Sequence, residues 1–531
     1  MKLNKLFLGL LAAGLFVSCS NDDSEGPAGP GAQKTETSYI AVNVNGVFDR
    51  TRAADGGYED GTADEQKVTN AHFFFFTNSG AAFALNAESL TNPTDLTNYI
   101  VKDLTDSGNE LDPNVETITN AVITIQNNKG DIPAKMVVVL NWDGVSEKMV
   151  SLADLKAKLL EEAKLHGANG FVMSNSVYAD GASVIDATPI TTANIAATST
   201  DALAMPVDVY VERVAAKVTV KEDAGPRFDT GIANPGASGG NVYAEIVGWD
   251  VNTTLNKSYL VKHIDAAWAS NLLGTILWND LAYHRSYWAN SVKADNINAL
   301  YETSFSWNDV AAANAVDASA YCTENAGDDA TKNTKVLVAA KFVDAGGNKV
   351  DVVKLFAEYL TIADLKARIA SSLATTYYYG DAYSKTSIAP EHIELMAAGT
   401  SGEDSYKVTY KLSAAAEALT WYSFDGSAYT QLADVNTINN RLASFAKAEV
   451  WDGMGYYFVD IEHLSSNAIK GVVRNHSYVI TVEDIKGLGT AVYNPDNEVV
   501  EPVNPGETES FIAARINVLS WKLVNQNVTL E

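Results

Sequence analysis

Cysteine is nearly absent from this sequence. Its 531 residues include two cysteines, Cys19 and Cys322. Cys19 ends the apolar segment at the N-terminus, which leaves a single cysteine for the remainder of the chain. One cysteine can form neither an intramolecular disulfide framework nor a cysteine-based zinc site. A lone internal cysteine is usually a small buried hydrophobic side chain, and we expect this of Cys322.

Motifs typical of enzymes and metal sites are missing as well. The seven histidines form no H-x-x-x-H or H-E-x-x-H pair, and there is no P-loop or dinucleotide-binding fingerprint. Residues 236–240 (GASGG) match G-x-S-x-G by letter, but no apolar strand precedes them and no helix pattern follows, which favours a loop. The acidic cluster from Asp55 to Glu65 lacks the spacing of an EF-hand. We therefore predict a protein that is not an enzyme, with no catalytic residues, no metal site and no cofactor.

Positive charge is in deficit. The chain has 38 Lys and Arg against 66 Asp and Glu, which gives a formal net charge of −28. Such a surface repels nucleic acid and anionic lipid, so neither is expected as a direct partner. No apolar run beyond the N-terminus reaches the roughly 18 residues of a membrane-spanning helix. At 531 residues the chain is too long for one hydrophobic core, so more than one domain is expected.

The N-terminus is typical of a targeting segment. Two lysines precede a short apolar run at residues 6–17, which ends in Val17-Ser18-Cys19. A small residue before a cysteine at this place is similar to a bacterial lipoprotein processing site, where the thiol receives a diacylglyceryl group and palmitate is an expected acyl chain. The acidic residues 22–25 resemble a surface-export signal of Bacteroidetes lipoproteins. Residues 1–19 are therefore predicted to be a lipoprotein signal peptide lipidated at Cys19; a plain secretory signal with an incidental cysteine is the alternative.

A predicted strand at residues 39–48 lies just before a pair of arginines. Its apolar side chains on one face are Ile40, Val42, Val44 and Phe48. Arg50 and Arg52 follow in a polar, Gly-rich stretch that a trypsin-like protease could bind in extended form. We predict cleavage between Arg52 and Ala53, with Arg50 as the alternative site. Residues 20–52 would then be a tether and pro-segment with a removable strand, although two arginines at a loop tip can also be plain surface charges.

The last stretch, residues 511–531, alternates in the same way after a Pro-rich linker that begins at residue 501. The apolar side chains of this second predicted strand are Ile512, Ala514, Ile516, Val518, Trp521 and Leu523. The phase slips by one residue after Leu519, which predicts a bulge or a strand that passes between two sheets. Our hypothesis is that the strand at 39–48 is cut away and that this terminal strand of another copy replaces it.

Between the two terminal strands the sequence predicts a mainly β protein with a few helices. Strands are expected at 72–76, 115–126, 135–140, 205–220, 243–251, 335–343, 456–461 and 476–482. Helices are expected at Ser151–Leu165 and Thr361–Ala370, two similar stretches that each begin with a Ser or Thr cap followed by Asp three residues later. We divide this part into an N-terminal β-sandwich domain at 53–204 and a C-terminal one at 205–500, with a linker and donor strand at 501–531.

Several stretches, in this order, resemble a known family. They are Thr51-Arg52-Ala53, Lys135–Asn141, Phe171–Ser174, Glu212–Val218, Tyr321–Asn325, Val473–Tyr478, Gly487–Gly489 and Val518–Leu523. Together with the lipoprotein signal and the terminal strands, this ordered set is similar to the fimbrillins of Bacteroidales, the subunits of type V pili, and most of all to the major subunit of the minor fimbrium. The resemblance implies two tandem transthyretin-like β-sandwich domains; residues 262–320 match poorly.

The resemblance also implies a function. It implies a stalk subunit of a surface fimbria that is lipid-anchored at the outer membrane as a precursor, is cut by an Arg-specific or trypsin-like protease, and polymerises by donor-strand exchange. The implied partners are further copies of the chain in a head-to-tail filament, accessory anchor and tip subunits, and host or bacterial surface receptors in adhesion and colonisation. An anchor or tip subunit, or a glycan-binding surface lipoprotein that does not polymerise, are the alternatives.

Overall fold

We analysed a computed structural model of the chain. It describes residues 37–46, 61–85, 98–103, 118–126, 132–143, 151–180, 183–223, 225–237, 239–264, 279–280, 285–286, 289–292, 301–302, 305–327, 330–463, 470–501, 511–519 and 524–526. Regular structure in these ranges is mostly β-strand with short helices, so the prediction of a mainly β, sandwich-type fold is confirmed. No helix within these ranges is long and apolar enough to cross a membrane.

The first sheet is built from the N-terminal part of the chain. The strands of this part are β1 (Thr37–Gly46), β2 (Asn70–Phe76), β3 (Tyr99–Asp103), β4 (Ile118–Gln126), β5 (Lys135–Leu140), β6 (Leu159–Glu161), β7 (His166–Gly167), β8 (Gly170–Phe171), β9 (Met173–Asn175), β10 (Tyr178–Asp180), β11 (Ser183–Ile185), β12 (Thr188–Pro189), β13 (Ile195–Ala196) and β14 (Val207–Arg213). The α-helices are α1 (Ala63–Gln66), α2 (Leu152–Lys156) and α3 (Ser199–Leu203). The order is β13-β1-β14-β9-β5-β2-β3, with β4 on the other edge of β1 and β12 beside β5.

The core of the first sheet follows from its apolar strands. All four phenylalanines of β2, Phe73–Phe76, are fully buried, and Met136–Val139 of β5 are buried beside them. β5 ends where Asn141 takes a left-handed conformation with φ 56°. The Asn141 side chain holds that turn: its Nδ2 donates to the Lys67 carbonyl at 2.7 Å, and its Oδ1 accepts from the Thr69 amide at 2.8 Å.

The helix predicted at Ser151–Leu165 is wrong beyond its first turn. Ser151 caps α2 through the Asp154 amide as expected, but the helix ends at Lys156. Leu159–Glu161 then form β6, which pairs with residues 257–259 in the second half of the chain. A tertiary strand pairing therefore overrides the local helix preference here.

The chain passes from the first sheet to the second at Val214. The predicted long strand at 205–220 is in fact two strands. Val207–Arg213 pairs with β1 and β9, whereas the residues after Val214 form a strand of another sheet. The apolar alternation of this stretch shifts at Glu212-Arg213, a pattern that by itself indicates a bulge, and the shift corresponds to this change of sheet.

The second part of the chain contributes the strands of a second sandwich and several short strands that form two-stranded pairs. They are β15 (Ala215–Glu222), β16 (Phe228–Ala233), β17 (Asn241–Asn252), β18 (Thr254–Leu255), β19 (Lys257–Tyr259), β20 (Asn279–Asp280), β21 (Arg285–Ser286), β22 (Tyr301–Glu302), β23 (Ser319–Thr323), β24 (Asn325–Gly327) and β25 (Lys335–Val343), with helix α4 (Trp307–Ala313). Trp249 of β17 is fully buried, and its Nε1 donates to the Ala315 carbonyl at 2.9 Å.

A third hydrophobic cluster lies in residues inserted after β25. Its strands are β26 (Asp351–Leu355), β27 (Glu358–Leu360), β28 (Tyr377–Gly380), β29 (Lys385–Ser387), β30 (Ile393–Ala397), β31 (Lys407–Leu412), β32 (Trp421–Phe424), β33 (Tyr429–Gln431) and β34 (Ala448–Asp452). Its helices are α5 (Ile362–Leu373), α6 (Ala414–Glu417) and α7 (Asn436–Ala443). The sheets β27-β26-β34-β31-β30 and β29-β28-β32-β33 pack with these helices around their own core. The helix predicted at Thr361–Ala370 is confirmed as α5.

The chain then returns to the second sandwich. The last strands are β35 (Met454–Asp460), β36 (Lys470–Val472), β37 (Ser477–Lys486), β38 (Thr490–Ala491), β39 (Phe511–Leu519) and β40 (Val524–Gln526). One sheet has the order β23-β15-β37-β39-β40 and the other β16-β17-β25-β35-β38. Buried residues of both sheets form one core, so the second part is a sandwich. In the first of these sheets β39 pairs with β37. Short 3-10 helices lie at Glu162–Lys164, Thr192–Asn194, Ala330–Lys332, Pro390–His392 and Gly402–Tyr406.

Candidate functional site

Strand β1, the predicted pro-strand, lies inside the first sheet. Along one edge, residues 37–45 pair antiparallel with residues 126–118 of β4. Along the other edge, residues 42–46 run parallel to residues 207–211 of β14, and residues 39–40 pair with β13. Backbone pairing on both edges makes β1 an integral strand of this sheet.

Three consecutive side chains of β1, those of Ile40, Ala41 and Val42, are buried, which covers both faces of the sheet. Ile40 and Val42 are fully buried in the first core, where each side chain of this size contributes about 1.5–3 kcal/mol. Ala41 points to the opposite face by strand alternation and is only 1% exposed. Helix α3 contacts β1, and Ala202 of that helix is fully buried. The side chain of Ala41 is therefore covered by neighbouring residues.

The remaining predicted residues of the N-terminal segment are only partly described. Val44 lies in β1 with Val209 of β14 and Thr119 of β4 as its register partners. The predicted lipidation site Cys19, the predicted cleavage residues Arg50, Arg52 and Ala53, and Phe48 lie outside the described residues.

The C-terminal strand β39 pairs with its own subunit. Residues 511–519 run antiparallel to β37 from Lys486 to Ser477, with a bulge between Val482 and Asp484. The register partners of the predicted donor residues Ile512, Ala514, Ile516 and Val518 are Ile485, Val482, Ile480 and Tyr478. All four partners are buried side chains. β37 therefore offers this strand a paired position in its own subunit.

Beyond Leu519 the next described strand belongs to the same sheet as β39. β40 pairs antiparallel with β39, with Val524 opposite Val518. The expectation that the strand passes between two sheets after Leu519 is therefore wrong. Trp521 and Leu523 lie outside the described residues.

The residues after the predicted cleavage site are tied to both halves of the chain. Thr62 and Glu65 form a capping box at α1, and the Glu65 side chain is 1% exposed. Glu65 Oε1 accepts from the Tyr321 hydroxyl at 2.5 Å and lies 3.0 Å from Lys217 Nζ. Burial alone would raise the pKa of the Glu65 carboxyl, but the hydrogen bonds from Tyr321, the Thr62 amide and Lys217 hold that pKa below its ordinary value.

Further buried ion pairs lie where the end of the first sheet meets the second part of the chain. We call this region the junction. Lys262 Nζ lies 3.1 Å from a carboxylate oxygen of Glu212, and both side chains are fully buried. The Arg474 guanidinium pairs with the buried carboxylate of Glu324 and also donates to the Tyr259 carbonyl at 2.7 Å. Breaking a buried pair by removing one partner is strongly destabilising, because the other charge is left in a medium of low polarity. The Lys262–Glu212 pair therefore ties the last strand of the first sheet to the second part of the chain, whereas the Arg474–Glu324 pair lies within the second part.

Backbone contacts of one sharp turn connect the same elements. Asn475 adopts φ 57°, and its amide donates to the Ala215 carbonyl at 2.7 Å. The Asn475 Oδ1 accepts from the Arg213 amide at 3.3 Å, so this side chain contacts the last residue of β14. The Lys217 amide donates to the His476 carbonyl at 2.9 Å.

Three stretches that carry the sequence resemblance meet at this junction. They are Glu212–Val218, Tyr321–Asn325 and Val473–Tyr478. Sequence reasoning identified the stretches but missed the ion pairs between them. Charged residues inside otherwise apolar strands were the available signal, since such residues are rarely buried unless they are paired.

The described residues contain no group of three or more His, Cys, Asp or Glu side chains placed to hold a metal ion. Cys322 is buried as expected, and its burial raises the pKa of the thiol well above its ordinary value, which favours the unreactive protonated form.

A cavity of about 350 Å³ opens beside β14, next to the strand that pairs with β1. Its lining includes Ser176, Tyr178, Asn194, Asp208 and Tyr210. Asp208 is exposed and alternates along β14 with the buried core residues Val207 and Val209. The carboxylate of Asp208 therefore lies on the face of the sheet that points away from the first core.

Solved structures similar to this chain come from several bacteria. A proposed cell adhesion protein from Parabacteroides distasonis is 13% identical with a TM-score of 0.35, covering 92% of this chain and 98% of its own. One from Bacteroides eggerthii is 11% identical with a TM-score of 0.32, covering 90% and 95%. A tip fimbrial protein from Porphyromonas gingivalis with a C-terminal truncation is 10% identical with a TM-score of 0.32, covering 91% and 100%. No protein-family model matches this sequence, and no curated protein does.

Proposed function

We propose that this protein is a structural stalk subunit of a surface fimbria, matured by cleavage after Arg52 and polymerised by donor-strand exchange. The observation that carries the proposal is the position of β1. It pairs along both edges inside the first sheet, yet it stands first among the described strands and precedes both arginines in the chain. A single cut after Arg52 separates an integral strand from the rest of the protein.

Loss of β1 opens a groove in the first sheet. The edges of β4 and β14 that face β1 would present unpaired backbone N–H and C=O groups, and the core around Ile40 and Val42 would become accessible. Such a groove binds an extended strand of alternating side chains, since the main chain supplies hydrogen bonds and the buried pockets supply specificity. The cut strand keeps its noncovalent contacts until another strand takes its place.

The donor in this proposal is β39 of a second copy. It must first leave β37 of its own subunit, and the Pro-rich linker from residue 502 to 510 gives it the length to do so. The precursor is thus closed at both ends, with β1 filling the groove and β39 covering β37. Each ladder hydrogen bond contributes about 0.5–1.5 kcal/mol net. The hydrogen bonds that β39 loses on leaving β37 are offset by those that it forms in the neighbour's groove.

Donor and acceptor lie on opposite halves of the chain, which makes the contact head-to-tail. A head-to-tail contact does not close on itself unless its rotation forms a ring, so it generates a filament. The buried ion pairs between the halves suit a subunit that carries load along such a filament, because they hold the acceptor sheet and the donor sheet in one fixed relation.

The proposal also covers the steps before polymerisation and the further partners of the subunit. The precursor is lipidated at Cys19 and held at the outer membrane, and an Arg-specific or trypsin-like protease releases it. Accessory anchor and tip subunits and surface receptors are the further partners, with adhesion and colonisation as the role. An anchor subunit would keep its acylated Cys19, and a tip subunit would lack a donor strand; a strand at both ends favours the stalk.

Arginine replacement tests this function. Arg52→Ala should leave a full-length lipoprotein on the cell surface with no filaments, because β1 stays covalently attached. The matched control Arg50→Ala removes the neighbouring positive charge and should mature and assemble as wild type. Filaments are measured by electron microscopy and as heat-resistant ladders on gels. Normal filaments from Arg52→Ala would show that assembly does not require cleavage at this bond.

A further inference from the structure

We propose that the donor strand enters the groove in one register, with Phe511 in the place of Tyr39 and the strand running in the direction of β1. This inference rests on the proposed function and specifies its contacts. Residues 39–45 read YIAVNVN and residues 511–517 read FIAARIN. In this alignment Ile, Ala and Asn are identical at the second, third and seventh positions, and the aromatic ring at the first position is retained.

The small covered site of Ala41 selects this register. Ala41 is 1% exposed and α3 contacts β1, so a side chain larger than alanine at this place would force its covering residues apart. The proposed register places Ala513 at this site. A second register, which superposes Ile516-Asn517-Val518 on Val42-Asn43-Val44, would place Arg515 there instead. Burying a guanidinium without a partner is strongly unfavourable, which disfavours that alternative.

The same register brings opposite charges together. The strand position of Asn43 pairs with Asp208 in the parallel ladder between β1 and β14. Arg515 of the incoming strand would occupy that position, on the face where the Asp208 carboxylate is exposed beside the 350 Å³ cavity. In its own subunit, position 515 has Thr481 as its register partner on β37. Transfer to a neighbour therefore replaces a threonine by an aspartate as the direct register partner of Arg515.

In this register the donor strand fills the pocket of Val42 less completely than β1 does. Ala514 takes the place of Val42, which is fully buried in the first core. The smaller side chain leaves space for the two methyl groups of valine. Ala514→Val should therefore increase the heat resistance of filaments if the register is correct, since it restores the side chain that the pocket holds in the precursor.

Charge reversal tests the Arg515–Asp208 pair. Arg515→Asp and Asp208→Arg should each reduce filament assembly about fivefold to tenfold, because opposite charges on neighbouring strands become like charges. Co-expression of the two variants should restore assembly as an alternating copolymer, since each donor then meets an acceptor of opposite charge. Failure of restoration would overturn the pairing. Asp208 is exposed, and Asp208→Asn serves as the control for folding, with a smaller loss expected.

Engineered cysteines test the register directly. A chain with Arg515→Cys and Asp208→Cys should form disulfide-linked ladders between subunits under oxidation. The matched chain with Asn517→Cys and Asp208→Cys should not, because position 517 meets Asp208 only in the second register. Linking through 517 alone, or through neither pair in intact filaments, would overturn the proposed register. Filaments that persist after deletion of residues 511–531 would instead contradict the donor-strand function itself.

Discussion

Alanine replacement at Ile40 should destabilise the precursor and leave the mature filament unchanged, whereas the same replacement at Ile123 should destabilise both. The two residues are cross-strand partners in the ladder between β1 and β4, and both are fully buried in the first core. Only Ile40 lies on the strand that is removed in the proposed maturation. Both variants therefore remove the same buried side chain from adjacent positions, but only position 40 is lost from the subunit on maturation.

The expected size of the effect follows from burial. Truncation of a buried isoleucine to alanine costs about 2–5 kcal/mol. For a unit of this size that corresponds to a fall in melting temperature of about 4–20 °C. In the cleaved subunit the same loss weakens the hold on β1 about thirtyfold or more, since each 1.4 kcal/mol is a factor of about ten. Ile40→Ala subunits should accordingly release their pro-strand faster and assemble faster than wild type.

The assay compares two forms of each variant. Precursor stability is measured by thermal unfolding of chains that also carry Arg52→Ala, and filament stability is measured as the temperature at which ladders dissociate in detergent. Ile40→Ala should lower the first temperature and not the second, whereas Ile123→Ala should lower both. If Ile40→Ala weakened filaments as much as Ile123→Ala does, β1 would still be part of the assembled subunit and the reasoning would be wrong.

Three further predictions concern Glu65 at the junction and the strand pair β24–β36. Glu65→Gln should lower the free energy of unfolding by about 3–5 kcal/mol, because it leaves Lys217 buried without its ion partner, whereas Glu161→Gln at an exposed pair with Lys257 should cost less than about 1 kcal/mol. Because the folded-state pKa of Glu65 is lowered, its contribution is present above its unfolded pKa of about 4.3 and is lost as pH falls through the lower folded value; acid titration of unfolding should therefore be steeper for wild type than for Glu65→Gln. Gly471→Ala should lower the free energy of unfolding, measured with denaturant, more than Gly225→Ala does. Both glycines have a positive φ, which costs about 1–2 kcal/mol for alanine. Only at Gly471 would the new Cβ also lie 2.1 Å from the Asn325 carbonyl oxygen. Equal losses at the two glycines would argue against close packing of β24 on β36.

Strands with strong local patterns were predictable from the sequence. Lys135–Leu140 and Lys335–Val343 have the bounds that their apolar runs predicted, because a short continuous apolar run between polar residues has few other stable arrangements. The terminal strands were also located from alternation alone. Their partners were not, since the choice between β37 of the same chain and β4 and β14 of a neighbour depends on contacts far apart in sequence.

Two similar stretches show where local reasoning ends. Residues 151–160 (SLADLKAKLL) and 361–370 (TIADLKARIA) share a cap and an apolar stripe. The second continues as a helix to Leu373, where its apolar side chains meet the third core. The first leaves the helix after one turn, because β19 offers Leu159–Glu161 a strand to pair with. The same physical reason, long-range pairing, explains why the buried ion pairs at the junction could not be assigned from sequence.

The N-terminal sequence and intact mass of the subunit in purified surface filaments decide whether β1 is removed on assembly. We expect a chain that begins at Ala53 and lacks residues 37–46, with the groove beside β4 and β14 filled by another copy. A filament subunit that retains residues 37–46, or an acylated Cys19, would contradict it, because a groove that still holds β1 cannot accept a donor strand.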